Sequence, residues 1–299
     1  MNKEKQVLRM TNIVSDFVGH IAKVLPDDVQ EKIAELANDE QNRLAKTIYA
    51  TMKENMKLSK ELSRPSCQDT GVLQYCVKVG ANFPFIGELE GILRNATYQS
   101  TQETPLRHNC VETFDEYNTG NNIGTLAPYI LWEVIPHRDD CEIFPYMSGG
   151  GCALPGSGKT LMPSEGYEGV AKFVLDLMTS YGLNACPPLL LGIGIATSID
   201  TAAVLSKKAL LRPVNSVAPN ERAAKMERLL EDGINSLQIG PQGMGGNKSL
   251  LGVNIEHGAR HPSVISVAVS VGCWNHRRGH MVFDKDGQCT ILSHSGVTY

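Results

Sequence analysis

GCALPGSGKT, Gly151 to Thr160, decides how this chain is read. From Ala153 to Thr160 it nearly matches G-x-x-x-x-G-K-[ST], the loop whose backbone N–H groups cradle nucleotide phosphates. A true match would make the fold a strand–loop–helix NTPase core. Three features argue against it. Ala153 stands where the first glycine belongs. Pro155 removes one N–H from the phosphate nest. Pro163, Gly166 and Gly169 would break a helix almost as soon as it opened at Lys159–Thr160. The nearby apolar run ending in aspartate, Phe173–Asp176, sits in a helical pattern, whereas a metal-binding aspartate in such enzymes ends a strand. A P-loop NTPase is therefore a remote alternative. A glycine-rich turn with an exposed Lys159 fits the residues, and so does a backbone-lined wall of a different anion site.

Outward from this stretch the chain divides by texture. Val7, Met10, Ile13, Val14, Phe17, Val18 and Ile21 recur at helical spacing, as do Val29, Ile33 and Leu36, then Leu44, Ile48, Met52 and Met56. Residues 1–62 are thus expected to be helical, with Pro26 at the start of the second helix. From Pro65 to about Leu161 the chain is rich in Gly, Pro and Asn, with short strand candidates at Tyr75–Val79 and Ile130–Val134. A helix is expected after Ser164, burying Val170, Phe173, Val174 and Leu177. LLLGIGIA, Leu189–Ala196, reads as a buried strand. Residues 200–211 and 220–237 read as helices, the second capped by Asn220. Leu251–Glu256 and Val264–Cys273 read as strands, and Asp286–Gly287 as a hairpin turn. The fold class expected is α/β, or mixed α+β. It is a single domain over 1–299, with a helical part (1–62) and a sheet part with long Gly-rich loops (63–299). Long loops within a compact chain are usually functional.

Composition narrows the function. The 299 residues are 42% hydrophobic and 20% charged, with a formal charge of −4. That balance disfavours nucleic acid or an anionic membrane as partner. No apolar run reaches the roughly 20 residues of a membrane span, and the N-terminus has no signal-peptide core. A cytoplasmic location is expected. Eight cysteines are too few for a disulfide scaffold in a chain of this length, and in the cytoplasm they are expected to be reduced.

A lone intracellular cysteine is ordinarily a small buried hydrophobe. Cys67 in RPSCQDTG, Cys186 in NACPP and Cys273 in SVGCWNHRRGH depart from that pattern, because each sits at the edge of an element. Cys273, His276 and His280 form C-x2-H-x3-H, a zinc pattern without a nearby fourth ligand. Three separated cysteines could instead hold three irons of a [4Fe–4S] cluster, leaving one iron open as a Lewis acid.

The words around these cysteines are more specific than their spacing. RPSCQDTG resembles the PxCQDTG signature of class I, iron–sulfur-dependent fumarases and their relatives. The similarity continues in order through LRHNCVETFDEYNTGNNIG (Leu106–Gly124), SGGGC (Ser148–Cys152), NACPPLLLGIGIA (Asn184–Ala196), IGPQGMGG (Ile239–Gly246) and ARHPSVISVAVSVGCWNHRRG (Ala259–Gly279). This resemblance implies the N-terminal-domain fold of that family and a hydro-lyase acting on a small 2-hydroxy dicarboxylate. By matching position it implies Cys67, Cys186 and Cys273 as ligands of a [4Fe–4S] cluster with one open iron. It implies Gln68, Asp69, Arg107 and Gly150 at the substrate, with Asp69 and His261 catalytic. Fumarases follow the GGG with a short Ser-x-Asn-Lys type sequence. Here CALPGSGKTLMPSEGYEG follows instead, which is similar to the branch that dehydrates L-tartrate to oxaloacetate, and no role transfers to Lys159. A two-subunit fumarase acting on malate and fumarate is the alternative. Fused fumarases continue into a further C-terminal domain, and nothing follows Tyr299 here. The resemblance therefore implies a separate beta subunit, an α2β2 assembly, and an active site shared between the subunits.

Overall fold

The computed structural model describes residues 2–299. In chain order the elements are α1 (Lys3–Ile21), α2 (Asp27–Asp39), α3 (Arg43–Glu61), β1 (Val72–Gly80), α4 (Leu89–Glu103), β2 (Val111–Glu112), β3 (Tyr117–Asn118), β4 (Tyr129–Ile135), β5 (Cys141–Ser148), α5 (Gly150–Ala153), β6 (Ser157–Leu161), α6 (Gly166–Tyr181), β7 (Leu189–Ala196), α7 (Ile199–Leu211), α8 (Glu221–Asn235), β8 (Leu250–His257), β9 (Ile265–Gly272), β10 (Met281–Phe283) and β11 (Cys289–Ile291). The fold is mixed α/β, as the sequence implied. The chain forms two compact units, one of residues 1–27, 55–149 and 277–299 and the other of residues 28–54 and 150–276. The helical stretch 1–62 is therefore shared between them, and the boundary falls inside α3.

In the first unit a five-stranded sheet runs β11-β10-β5-β1-β4. β1 lies parallel to β4 and antiparallel to β5. Leu73, Tyr75, Val77 and Val79 alternate along β1 and face one side of the sheet, as period-2 geometry requires. The stripe Met10, Ile13, Val14, Phe17, Val18 and Ile21 of α1 packs there, together with Leu89, Ile92, Leu93 and Ala96 of α4. Each such side chain, fully buried, stabilises the unit by roughly 1.5–3 kcal/mol relative to exposure. The predicted hairpin is β10–β11, turned at Gly287 with φ 73°.

The second unit has a four-stranded sheet ordered β6-β9-β7-β8. β7 and β9 are buried along their whole length, as their unbroken apolar runs predict. Leu189, Leu191, Ile193 and Ile195 meet α6 and α8 on one face. The opposite face of β7 carries Gly192 and Gly194, where α7 crosses. A Cβ on Gly194 would lie 1.9 Å from the carbonyl oxygen of Ala202, and one on Gly192 2.2 Å from that of Ser206. These glycines exist so that helix and strand backbones can touch. Asn220 caps α8 as expected, its Oδ1 accepting from the N–H groups of Arg222 (3.0 Å) and Ala223 (3.2 Å).

The P-loop reading is corrected by β6. Lys159 lies mid-strand, paired with Val267 of β9, and ion-pairs with Glu165 at 3.8 Å. The Gly-Lys-Thr triplet opens no helix, so its N–H groups form a β ladder and not a phosphate nest. Pro155 lies in the turn from α5 into this strand, and Pro163, Gly166 and Gly169 lie beyond it.

Candidate active site

In the first unit the candidate residues lie on the loop between α3 and β1. Ser66 anchors its start. The Ser66 N–H donates to the Ala22 carbonyl at 2.9 Å, and Asn55 Nδ2 donates to the Ser66 carbonyl at 2.9 Å. Cys67 follows, half-buried. Asp69 then forms an Asx turn, its Oδ1 accepting the Gly71 N–H at 3.0 Å. Gly71 has φ 79° and lies against Ser148, where a Cβ would come within 2.7 Å of backbone. Neither demand suits a residue with a side chain.

A second loop locks onto the first. The Arg107 N–H donates to Thr70 Oγ1 at 3.0 Å, and Arg107 Nη1 donates to Gln68 Oε1 at 2.9 Å. Asn109 Nδ2 donates to Asp69 Oδ1 at 2.9 Å and to the Gly71 carbonyl at 3.1 Å. Buried Asn122 braces this loop, its Oδ1 accepting the Asn109 N–H at 2.8 Å and its Nδ2 donating to the Arg107 carbonyl at 3.1 Å. Asn122 sits at φ 61°, a left-handed conformation that asparagine tolerates. From the far end of the chain, Arg277 Nη2 donates to the Asp69 carbonyl at 2.8 Å. Arg277 is 2% exposed, and its Nε and Nη1 make no hydrogen bond among the described residues. Gly149, the first glycine of GGG, faces Asp69, where a Cβ would stand 3.0 Å from Oδ2. Three predicted residues, Gln68, Asp69 and Arg107, therefore belong to one bonded framework, with Cys67 next to Gln68 in the same loop. Asn109, Asn122, Gly149 and Arg277 complete it and were not read as site residues from sequence.

In the second unit Cys186 and Cys273 come to the same end of one sheet. β7 and β9 are antiparallel, with Leu190 opposite Gly272. Cys186 precedes β7 and Cys273 follows β9, and the Trp274 N–H donates to the Cys186 carbonyl at 3.2 Å. Cys186 is exposed and left-handed at φ 56°. Gly150 opens α5 and is exposed. The next glycine, Gly151, lies over the Asn184 carbonyl, where a Cβ would be 2.8 Å away. His261 is elsewhere. It precedes β9, whose eight residues span about 26 Å, so it lies at the opposite end of that strand from Cys273. Its Nδ1 accepts the Ser263 N–H at 3.1 Å. Within this unit His261 therefore stands away from the two cysteines.

The remaining cysteines differ in kind. Cys76, Cys110, Cys141 and Cys152 are buried. Burial pushes the thiols of Cys141 and Cys289 up to about 12, so both remain protonated near neutral pH. The His276 ring packs at Gly272 with Nε2 at the Leu210 carbonyl (2.8 Å), and His280 Nε2 meets Glu142 at 3.2 Å. Among the described residues, no group of three His, Cys, Asp or Glu side chains is gathered to hold a metal ion.

Residues 11–282 match the family model described as fumarate hydratase (fumerase). The L(+)-tartrate dehydratase subunit alpha of Escherichia coli K12 is 53% identical over 294 residues, 98% of this chain and 97% of the relative. Its Shigella sonnei counterpart shows the same identity and coverage. A protein of Methanocaldococcus jannaschii is 33% identical over 274 residues, 91% of this chain and 96% of its own.

Proposed function

Because the chain belongs to the fumarate hydratase (fumerase) family, we propose that it is the alpha subunit of a hydro-lyase that removes water from L-tartrate, giving oxaloacetate. The observation that carries the substrate is the 53% identity across 98% of the chain to proteins named L(+)-tartrate dehydratase subunit alpha. The stretch after GGG, CALPGSGKTLMPSEGYEG, resembles the tartrate branch and supports the same reading over a malate-specific one.

Cys67, Cys186 and Cys273 fit the ligand set of a [4Fe–4S] cluster by their chemistry. All three are thiols outside the buried cores, whereas four of the other five are buried. Arg277 offers two further buried cationic N–H groups, which suit an anionic group. When bound, such a cluster supplies an open iron as Lewis acid for the departing hydroxyl. The chain's own residues do the rest. Arg107, steadied by Gln68, binds a substrate carboxylate through charge-assisted hydrogen bonds. Gly150 offers backbone to the substrate. Asp69 takes the proton from the carbon beside the departing hydroxyl. The C–H and C–O bonds break, the departing hydroxide takes up a proton from solvent and leaves as water, Asp69 returns its proton to solvent, and the enol product tautomerises to oxaloacetate. We keep His261 as a second catalytic group of the assembled enzyme.

The relatives' designation as a subunit supports a beta partner, which we place in an α2β2 assembly with groups from both chains at the substrate. No helix among the described residues is long and apolar enough to cross a membrane. A cytoplasmic location suits thiols that must stay reduced. The test is anaerobic turnover of L-tartrate and of malate by the chain co-purified with its partner. Fast tartrate and slow malate turnover is expected. The reverse makes it a fumarase subunit, and no turnover of either overturns the reading.

A further inference from the structure

The framework around Asp69 holds a residue with no role in the reading above. Asn109 reaches the Asp69 carboxylate from another loop. Its two amide hydrogens are both committed, one to Asp69 Oδ1 at 2.9 Å and one to the Gly71 carbonyl at 3.1 Å. That double commitment fixes the amide plane, because rotating it would break both bonds at once. Its main chain is fixed as well, the N–H donating to Asn122 Oδ1 at 2.8 Å. Asn122 is 8% exposed and is itself held, its Nδ2 donating to Thr101 Oγ1 and to the Arg107 carbonyl, each at 3.1 Å. The donor that meets Asp69 is thus rigid over two layers of hydrogen bonds. Oδ1 also accepts the Gly71 N–H at 3.0 Å, so two donors converge on one oxygen and set the plane of the carboxylate. The backbone of Asp69 is held separately by Arg277.

We infer that Asn109 is the positioning residue for Asp69: it fixes the orientation of the carboxylate, and it couples that orientation to the loop carrying Arg107. This rests on the reading of Asp69 as the proton-transferring group. The physical reason is geometric. A base must stand within hydrogen-bond reach of the proton it removes, and a carboxylate free to turn about its last torsion spends most of its time out of that geometry. Asn109 acts through another residue, so substrate binding by Arg107 is left standing.

A double-mutant cycle in the co-purified, anaerobically reconstituted enzyme tests this with L-tartrate. Asn109→Ala is expected to lower kcat by about 10- to 100-fold with KM held within about threefold. Asn109→Gln, which keeps the amide, is expected to recover part of the rate. In an Asp69→Asn background, Asn109→Ala is expected to change kcat by less than about twofold, because a residue acting through Asp69 has nothing left to act on. Asp69→Glu serves as the background should Asp69→Asn fall below detection, and Asn109→Ser replaces Asn109→Ala should the alanine variant not assemble. A merely structural Asn109 would give the same loss in both backgrounds, and that result overturns the proposal. So does a wild-type rate in Asn109→Ala. An Asp69→Asn enzyme at wild-type rate is a different outcome, since it removes Asp69 from the chemistry and refutes the reading beneath this one.

Discussion

Gly149→Ala is the sharpest test of where the Asp69 carboxylate stands. Gly149 is buried, and its φ lies outside the left-handed region, so its backbone accepts alanine. The new Cβ would lie 3.0 Å from Asp69 Oδ2 and 3.5 Å from its Cγ, with no other non-neighbouring heavy atom within 4 Å. Ordinary contact begins near 3.4 Å, so the carboxylate must yield by a few tenths of an ångström. It cannot yield freely, because Oδ1 is pinned by Gly71 at 3.0 Å and Asn109 at 2.9 Å. Lengthening these bonds costs part of the roughly 1.5–3 kcal/mol that a hydrogen bond to a charged group is worth. A loss of about 1.4 kcal/mol at the transition state is tenfold in rate. Gly149→Ala should therefore lower kcat for L-tartrate about tenfold while the melting temperature moves by no more than a degree or two. The assay is steady-state turnover beside a thermal melt of the same preparation. A kcat within twofold of wild type would show that the carboxylate is not where the argument needs it. A fall of many degrees in the melt would make the glycine a folding requirement instead.

Three further predictions follow from other parts of the fold. Gly194→Ala puts a Cβ 1.9 Å from the Ala202 carbonyl, so α7 must lift off β7; a loss of about 3 kcal/mol or failure to fold is expected, and an unchanged denaturant midpoint would contradict the packing. Lys159→Ala should leave activity and melting unchanged, because its ion pair is exposed and long at 3.8 Å, and isothermal titration with millimolar ATP should show no binding to either protein. Burial, then the neighbouring His20, lowers the His294 pKa to about 4. The ring is thus neutral in the fold and protonates near 6.5 when unfolded, so stability is lost as pH falls from about 6.5 towards 4, by of order 3 kcal/mol in total. His294→Gln should flatten the acid side of a melting-temperature profile, and an unchanged acid slope would refute the assignment.

Which parts of the chain were legible depends on how local their signals are. α1 and β7 announce themselves, one by a 3.6-residue stripe and the other by an unbroken apolar run. α4 does not, because its buried face includes Thr97, Ser100 and Thr101. Those hydroxyls are satisfied inside the helix, Thr97 Oγ1 donating to the Leu93 carbonyl at 2.8 Å and Thr101 Oγ1 to that of Thr97 at 2.7 Å. β6 is invisible to patterning because four of its five residues are exposed, and its pairing with β9 alone makes it a strand. The site divides in the same way. Cys67, Asp69 and Arg107 fall in motifs readable along the chain. Asn109 and Arg277 matter through partners 40 and 208 residues away, and no spacing rule reaches that far. His261 is legible only through its ARHP motif, and a full strand separates it from Cys273.

In the function proposed above, Cys67, Cys186 and Cys273 are the thiolate ligands of a [4Fe–4S] cluster on which water loss depends. The measurement that tests it most directly is anaerobic iron and acid-labile sulfide analysis of the co-purified enzyme, with Cys67→Ser, Cys186→Ser, Cys273→Ser and the buried control Cys76→Ser. Wild type and Cys76→Ser should carry matched iron and sulfide in [4Fe–4S] stoichiometry and turn over L-tartrate, and the other three should lose both metal and activity. Full iron in those three variants, or rapid tartrate turnover by an iron-free preparation, would contradict the account.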